Sequence, residues 1–325
     1  MSTYYGTKGQ KVQGIASDPS VSQEGQVWYN TTTSALKFFK NFTDAWATGG
    51  NLAIARQSMT GSGTQTAALG FGGNSGTGIT AVTEEYDGST WTAGGNMATA
   101  RRYLAGAGTQ TAGLGFGGYA PPFSNATEEY DGSTWTAGGN LGTARDMLAG
   151  AGTQTAGLTF GGRTAVSPNS NATEEYDGST WTAGGNLGTG RRYLGGLGTQ
   201  TAGLAFGGAN PPAYNLTEEY DGSTWTAGGN LITGRGYIMG AGTQTAGLGI
   251  GGSGSPTSFK MTEKYDGTSW TAGATMNINR QKGGSGGTQT SAVTFGGNSG
   301  PPTEIASTEE FNGGTVTIAV PVSQS

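Results

Sequence analysis

The sequence predicts an all-β chain, a β-propeller of six four-stranded blades behind a short N-terminal arm. Three observations carry this. Trp46, Trp91, Trp135, Trp181, Trp225 and Trp270 lie 45, 44, 46, 44 and 45 residues apart, and Val316 stands 46 residues further on in the matching context TEEFNGGTVT; a period of this length suits one four-stranded blade. Glycine supplies 65 of the 325 residues and recurs through every period among β-branched and aromatic residues, so propensity and apolar spacing both oppose helix. Turn signals recur at fixed places in each period. Although only 33% of residues are hydrophobic, 7 Trp, 13 Tyr and 11 Phe at regular spacing set the chain apart from a disordered one, which would be poor in aromatics.

Residues 1–35 are expected to form the arm, with its own hairpin at Trp28 and Tyr29 that either anchors the propeller to a larger assembly or covers an edge. The propeller is expected over residues 36–325. Counting from each Trp, an Arg recurs ten residues on (Arg56, Arg101, Arg145, Arg191, Arg235, Arg280) and a Gln nineteen residues on, and a Phe or Ile precedes Gly-Gly twenty-five residues on. A Tyr, or Phe311 in the last copy, stands five residues before the next Trp or Val. Every insertion therefore falls between Gly-Gly and the TEEY segment. Four extended pieces follow, one after Arg, one through TAGLxFGG, one through TEEY and one starting at Trp. Asp-Gly between the last two, Asn312-Gly313 in the final copy, predicts a tight hairpin whose residues take positive φ. Small residues after Arg leave room for an innermost strand crowding the axis. Closure has two solutions. Either the segment around Trp46 supplies the outer strand of the last blade, or that segment is an extra hairpin and the C-terminal TVTIAVPV closes the ring.

Composition removes many functions. The formal charge of −5 and pI near 4.8, with 11% charged residues, deny the basic footprint that nucleic acid requires. Without Cys or His there are no disulfides, thiolate or imidazole metal ligands, Cys nucleophiles or Ser-His-Asp triads. No calcium loop of the D-x-[DN]-x-[DN]-G type occurs. The first residues lack an apolar signal core and no window approaches 18 apolar residues, so a cytoplasmically made chain without Sec export or membrane insertion is expected. No catalytic residue, metal or cofactor is assigned.

Gly-Gly, then Tyr, then Trp, as in Gly117-Gly118, Tyr130 and Trp135, resembles the kelch repeat over residues 46–316, and that resemblance implies a β-propeller. The strings GQVWYNTTTSALKFF and GGNLxTAR resemble virion-surface proteins of marine bacteriophages, tail fibres in particular. YDGSTW is similar in part to the Asp-box of sialidases, with Asp one position nearer Gly; in that family the box is a structural turn.

Candidate sites each carry two readings. The six arginines, if symmetric, form a ring near one end of the channel that could hold an anion or acidic glycan; the simpler reading pairs each with a TEEY glutamate as a structural ion pair. Adjacent Glu84 and Glu85 point to opposite faces of a strand and cannot flank one glycosidic bond. Arg101, Glu128 and Trp135, with their equivalents, form a possible inter-blade sugar site, as in some propeller lectins, while the same Trp is the usual core residue of the repeat. The segments after Gly-Gly vary most and all emerge on one face. They carry Tyr119, Phe123, Arg163, Tyr214, Phe259 and Lys260, and Pro121-Pro122, Pro211-Pro212 and Pro301-Pro302 stiffen three of them. Variable, rigid, aromatic loops on a uniform scaffold suit recognition; drift in surface loops is the plain alternative. The expectation is a non-enzymatic virion surface module, a tail fibre or capsid decoration, docked on other virion proteins through its arm and facing a host glycan or protein, with a homo-oligomer allowed. A multivalent lectin and a cytoplasmic interaction scaffold are the alternatives.

Overall fold

The computed structural model describes residues 12–18, 26–209, 212–255, 258–300 and 303–321. Parts of the expected arm, and Pro211, Pro301 and Pro302 of the expected stiffened loops, lie outside them. The chain divides into two compact units, Met1–Asp44 with Asn312–Ser325, and Ala45–Phe311. The strand Ala35–Gly49 continues the arm's hairpin. In the first unit Val27–Asn30 pairs antiparallel with residues 35–38, and Gln13–Ile15 adds a parallel strand. Trp28 is buried and donates to Asp18 at 3.1 Å. Asn30 Nδ2 and Lys37 Nζ converge on the same carboxylate, at 2.8 and 2.7 Å.

The second unit is a β-propeller built of repeated four-stranded antiparallel sheets. In the second sheet Ala105–Gly108 is innermost, followed outwards by Gly113–Phe116, Thr127–Tyr130 and Trp135–Ala137. These are the four pieces the sequence predicts. The register sets Ala105 opposite Phe116, Leu114 opposite Glu129 and Tyr130 opposite Trp135. The same order recurs from Thr60–Thr64, Ala149–Gly152, Gly195–Thr199 and Met239–Thr243. Innermost strands touch in succession round the axis, and Gly284–Gly287 touches both Met239–Thr243 and Thr60–Thr64, which completes the circle. Small residues make this possible. A Cβ at Gly106 would lie 2.8 Å from the Phe71 ring and 3.1 Å from Thr60 of the neighbouring strand.

Three side chains tie each sheet to the one before it, except that the last sheet has Phe311 where the others have a Tyr. Trp135 Nε1 donates to Thr83 Oγ1 at 2.9 Å, the Tyr130 hydroxyl to Glu85 at 2.5 Å, and Gln110 Nε2 to the carbonyls of Ala68 and Tyr86 at 3.1 and 2.7 Å. Apolar side chains fill the space between, as where Leu69, Phe71, Met97 and Leu104 pack with Tyr130 and Trp135.

The same bonds decide how the ring closes. Trp91, Tyr86 and Gln65 of the first sheet reach Thr308, Glu310 and the Phe311 carbonyl at 2.9, 2.6 and 2.7 Å. Trp46 reaches back to Thr262 and the Ala274 carbonyl of the fifth sheet, both at 3.1 Å. Residues 45–49 therefore occupy the outermost position beside residues 308–311, Ser291–Phe295 and Gly284–Gly287. Of the two closures the sequence allows, the one through Trp46 forms.

The Asp-Gly connections differ from expectation in detail. Tyr86 pairs with Trp91, leaving a four-residue turn 87–90 in which Gly88 has positive φ (91°) and Asp87 does not. Asp87 Oδ1 instead accepts the amides of Ser89 and Thr90 at 2.8 and 2.7 Å, so an aspartate side chain closes the turn.

Candidate functional site

One face of the propeller carries the connections after Gly-Gly. The residue following each buried Arg bridges to the segment beyond Gly-Gly: Arg102 to Tyr119, Asp146 to Arg163, Arg192 to Ala209, Gly236 to Ser253, Gln281 to Asn298, and Gln57 to Asn74. The innermost strand of each copy begins three residues after that bridge. The variable loops and the mouth of the axial channel therefore share a face. The opposite face carries the nearly constant GTQT and DGST turns, with Asp87, Asp131, Asp177, Asp221 and Asp266 exposed.

A closed circle of backbone hydrogen bonds surrounds the mouth. Tyr103 N donates to Ser58 O, Met147 to Tyr103, Tyr193 to Met147, Tyr237 to Tyr193, Lys282 to Tyr237, and Ser58 to Lys282, at 2.7–3.3 Å. To make these bonds each residue adopts a left-handed backbone, with φ of 54–59°. Such a conformation costs a non-glycine residue about 1–2 kcal/mol. Elsewhere among the described residues, Ser34 apart, positive φ belongs to glycine. A chain this rich in glycine nevertheless keeps a side chain at every mouth position, and those side chains differ: Ser, Tyr, Met, Tyr, Tyr and Lys. The symmetry of the backbone is broken only in its chemistry.

Behind the mouth lies a cavity of about 150 Å³ along the axis, walled by residues 58–61, 103–106, 147–150, 193–196, 237–240 and 282–285. Tyr193 and Tyr237 pack tilted by 35° with ring centroids 3.8 Å apart, and Tyr103 meets Tyr193 edge-on at 6.1 Å. Burial, then the hydrogen bond to Tyr193, pushes the Tyr237 hydroxyl far above the usual tyrosine range, and burial raises Tyr193 as well. Both remain neutral, with Tyr193 accepting from Tyr237. Cations lie over these rings: Arg102 over Tyr103 and Tyr119 at 5.4 and 5.1 Å, Arg192 over Tyr193 at 5.4 Å, and Lys282 over Tyr237 at 4.6 Å.

Of nine arginines in the sequence, those outside the six-fold set are Arg102, Arg163 and Arg192, and all three lie on this face. Arg163 is neutralised by Asp146 through a two-point contact at 3.0 and 2.8 Å. Among the described residues no carboxylate pairs with Arg102, Arg192 or Lys282, and the Nε atoms of Arg102 and Arg192 are buried without a hydrogen-bond partner. The mouth thus keeps uncompensated positive charge on a protein of net charge −5.

The predicted loop residues are only partly brought together. Tyr119 meets Phe123 edge-on at 6.1 Å, and the Arg163 guanidinium of the next loop lies 5.1 Å over Phe123, joining two loops. Tyr214, Phe259 and Lys260 are half-buried in other loops, where the carbonyls of Tyr214 and Phe259 accept the amides of Arg235 and Arg280 at 3.1 and 3.0 Å. The mouth residues themselves carry no periodic signal. Their one clue in the sequence is a position that changes in nearly every copy inside an otherwise constant stretch after Arg.

The six equivalent arginines stand elsewhere. Arg56, Arg101, Arg145, Arg191, Arg235 and Arg280 are fully buried and none lines the axial cavity. Each pairs with the first glutamate of its own TEEY or equivalent segment: Glu84, Glu128, Glu174, Glu218, Glu263 or Glu309, at 2.7–3.4 Å. Arg101 also donates to the carbonyls of Gly117 and Ala126 at 2.9 and 2.6 Å, while Glu128 accepts the Ala98 amide at 2.6 Å. Burial is the largest influence on these guanidinium groups and lowers them all, Arg56 and Arg280 to about 10. Trp135, the third member of the proposed inter-blade site, is 9% exposed and packs against Tyr130 and Phe71. The polar groups of this trio are directed into the protein, so its geometry is that of a packed ion pair and a core aromatic.

Among the described residues no cluster of three metal-ligating side chains occurs and no helix is long and apolar enough to cross a membrane. Set beside known proteins, the chain matches no family model and no curated sequence.

Proposed function

We propose that this chain is a six-bladed, kelch-like, non-enzymatic surface module that recognises its partner through the loop face, on a phage particle as a tail fibre or capsid decoration. The observation that carries the reading is the division of labour between the two faces. One face holds constant turns and exposed aspartates; the other gathers the variable loops, the mouth tyrosines and every arginine outside the buried set. A scaffold under no demand for recognition has no reason to keep strained, non-identical side chains round its axis. The arm unit, with its Trp28–Asp18 anchor, is the part that docks on other virion proteins, and the phage setting is supported by the strings GQVWYNTTTSALKFF and GGNLxTAR.

The test is to purify particles from the source that makes the chain, quantify its peptides by mass spectrometry and locate it with gold-labelled antibody. Regular labelling at a fixed place on virions is the expected result; absence from particles overturns the virion setting. Exchange of the loops 119–126 and 163–172 for Gly-Ser segments of equal length is expected to abolish attachment to the target surface, and unchanged attachment overturns recognition through this face. The lectin reading is favoured by one observation, cations standing over tyrosine rings at the mouth.

A further inference from the structure

We infer that the axial mouth on the loop face is a binding site for the terminal acidic residue of a glycan, an inference that rests on the loop-face reading above. Its acid group meets Lys282, which lines the axial cavity, with Arg102 and Arg192 on the same face over Tyr103 and Tyr193, and its hydroxyls meet those of Tyr193 and Tyr237. Four independent features of the mouth converge on this assignment.

The first is charge without a partner. Arg102, Arg192 and Lys282 are held over aromatic rings and have no carboxylate among the described residues, whereas Arg163 beside them has one. A cation over a ring keeps its charge and its remaining N–H donors, which is what an incoming carboxylate or sulfate uses. The second is strain. Ser58, Tyr103, Met147, Tyr193, Tyr237 and Lys282 all keep side chains at left-handed positions that glycine fills elsewhere in this chain, and strain retained in every copy belongs with function. The third is shape. The cavity is enclosed laterally by innermost strands from every sheet and opens along the axis. Walled on all sides, it admits a group that enters along the axis and not a segment lying across the face. The fourth is the polar rim. The hydroxyls of Tyr193 and Tyr237, beside the Tyr103 ring and glycine-lined backbone, offer hydrogen bonds and apolar surface together, as sugar rings require.

The left-handed backbone also provides a clean test, because Tyr193→Gly removes the ring at a position where glycine is the unstrained residue. Binding of three probes, sialyllactose, a glucuronate-terminated oligosaccharide and lactose, is measured by titration calorimetry on the full chain and on two variants, Tyr193→Gly and the pair Arg192→Met with Lys282→Met. Both acidic probes are expected to bind and lactose to bind at least tenfold more weakly, since charge-assisted hydrogen bonds are lost. Each variant is expected to weaken the acidic probes at least tenfold, with the thermal midpoint of Tyr193→Gly unchanged or raised. Raising salt is expected to weaken wild-type binding.

Equal affinity for lactose, or affinity untouched by both variants, overturns the site. So does preference for a peptide bearing a C-terminal carboxylate over every saccharide. If the acidic probes fail while the loop exchange still abolishes attachment, the ligand assignment is wrong and recognition through the face stands. If neither the loop exchange nor the mouth variants alter attachment, the face itself is not the recognition surface.

Discussion

Trp46 and Thr262, separated by 216 residues in sequence, are joined by a hydrogen bond of 3.1 Å that repeats the Trp–Thr link found between neighbouring sheets elsewhere in the ring. The circle therefore closes on a strand from the beginning of the repeat region. Trp46 also lies 5.1 Å from the Phe311 ring and belongs to one buried cluster with Leu248, Ile250 and Met276. Its loss opens the last junction and leaves a cavity. Trp46→Ala is expected to destabilise the protein by about 3–5 kcal/mol, and hydrogen exchange is expected to accelerate first in Gly284–Gly287 and Ser291–Phe295. Uniform exchange throughout the ring would contradict closure by this strand.

The buried ion pairs are expected to punish removal of one partner more than removal of both. Arg101→Gln leaves Glu128 buried with its charge uncompensated, a loss of about 3–5 kcal/mol. Glu128→Gln strands the guanidinium in the same way. The double variant is expected to cost less than the sum of the singles, with a coupling of about 0.5–3 kcal/mol in denaturant melts. Strict additivity would show that the 2.9 Å contact contributes nothing.

Acid stability should depend on the turns. Hydrogen bonds, led by the Thr134, Thr180 and Thr224 amides and by the Thr268 hydroxyl, hold Asp131, Asp177, Asp221 and Asp266 at about 2 against an ordinary 3.8. These carboxylates have depressed values in the folded state, so their contribution is complete above about 3.8 and is lost as pH falls through about 2. The thermal midpoint is expected to hold between pH 7 and 5 and to fall between 4 and 2. Asn at all four positions is expected to flatten that fall.

Alkaline behaviour should mirror it with the opposite sign. Burial first, and then the hydrogen bond to a glutamate of the preceding sheet, raises Tyr130, Tyr176 and Tyr220 to about 12 from 10.0. A raised acid favours its neutral form in the fold, so stability is full below pH 10 and declines as pH rises through about 12. Absorbance at 295 nm is expected to show tyrosines that ionise only as the protein unfolds.

The fifth and last sheets depart from the common pattern together. Where other junctions carry a Tyr hydroxyl on a Glu, Phe311 has no hydroxyl and Lys264 stands in place of the Glu. Phe311→Tyr alone buries a hydroxyl facing a side chain that has no acceptor, and is expected to cost about 1–3 kcal/mol. Adding Lys264→Glu is expected to recover most of that loss in thermal melts. Failure of the second change to compensate would show that the two positions are not partners.

The repeat pattern was legible because packing demands the same Arg in every period and the same Gln, Trp and, Phe311 apart, Tyr at every junction, and a demand that recurs leaves a period. Trp135 and Gln110 could be placed by counting alone. Closure could not, since the sequence around Trp46 and that around Val316 are both compatible with an outer strand; only the position of Thr262 in space separates them. The mouth escaped for the opposite reason. Ser58, Tyr103, Met147, Tyr193, Tyr237 and Lys282 vary between copies, so periodicity hides them, and nothing local announces a left-handed tyrosine. Phe123 and Arg163 were singled out for variability, but their contact depends on two loops that the sequence does not align.

The circle of amide-to-carbonyl bonds from Ser58 round to Lys282 has an electrostatic consequence. Dipoles that follow one another head to tail round a ring have in-plane components that cancel, unlike those of a helix end, which sum toward a bound ion. The rim's backbone therefore adds little directed field across the opening, and its sign is written by the projecting side chains. Exchanging Lys282 for an acid, or Ser58 for a base, would retune the charge offered to a ligand while the hydrogen-bonded hoop beneath stays as it is.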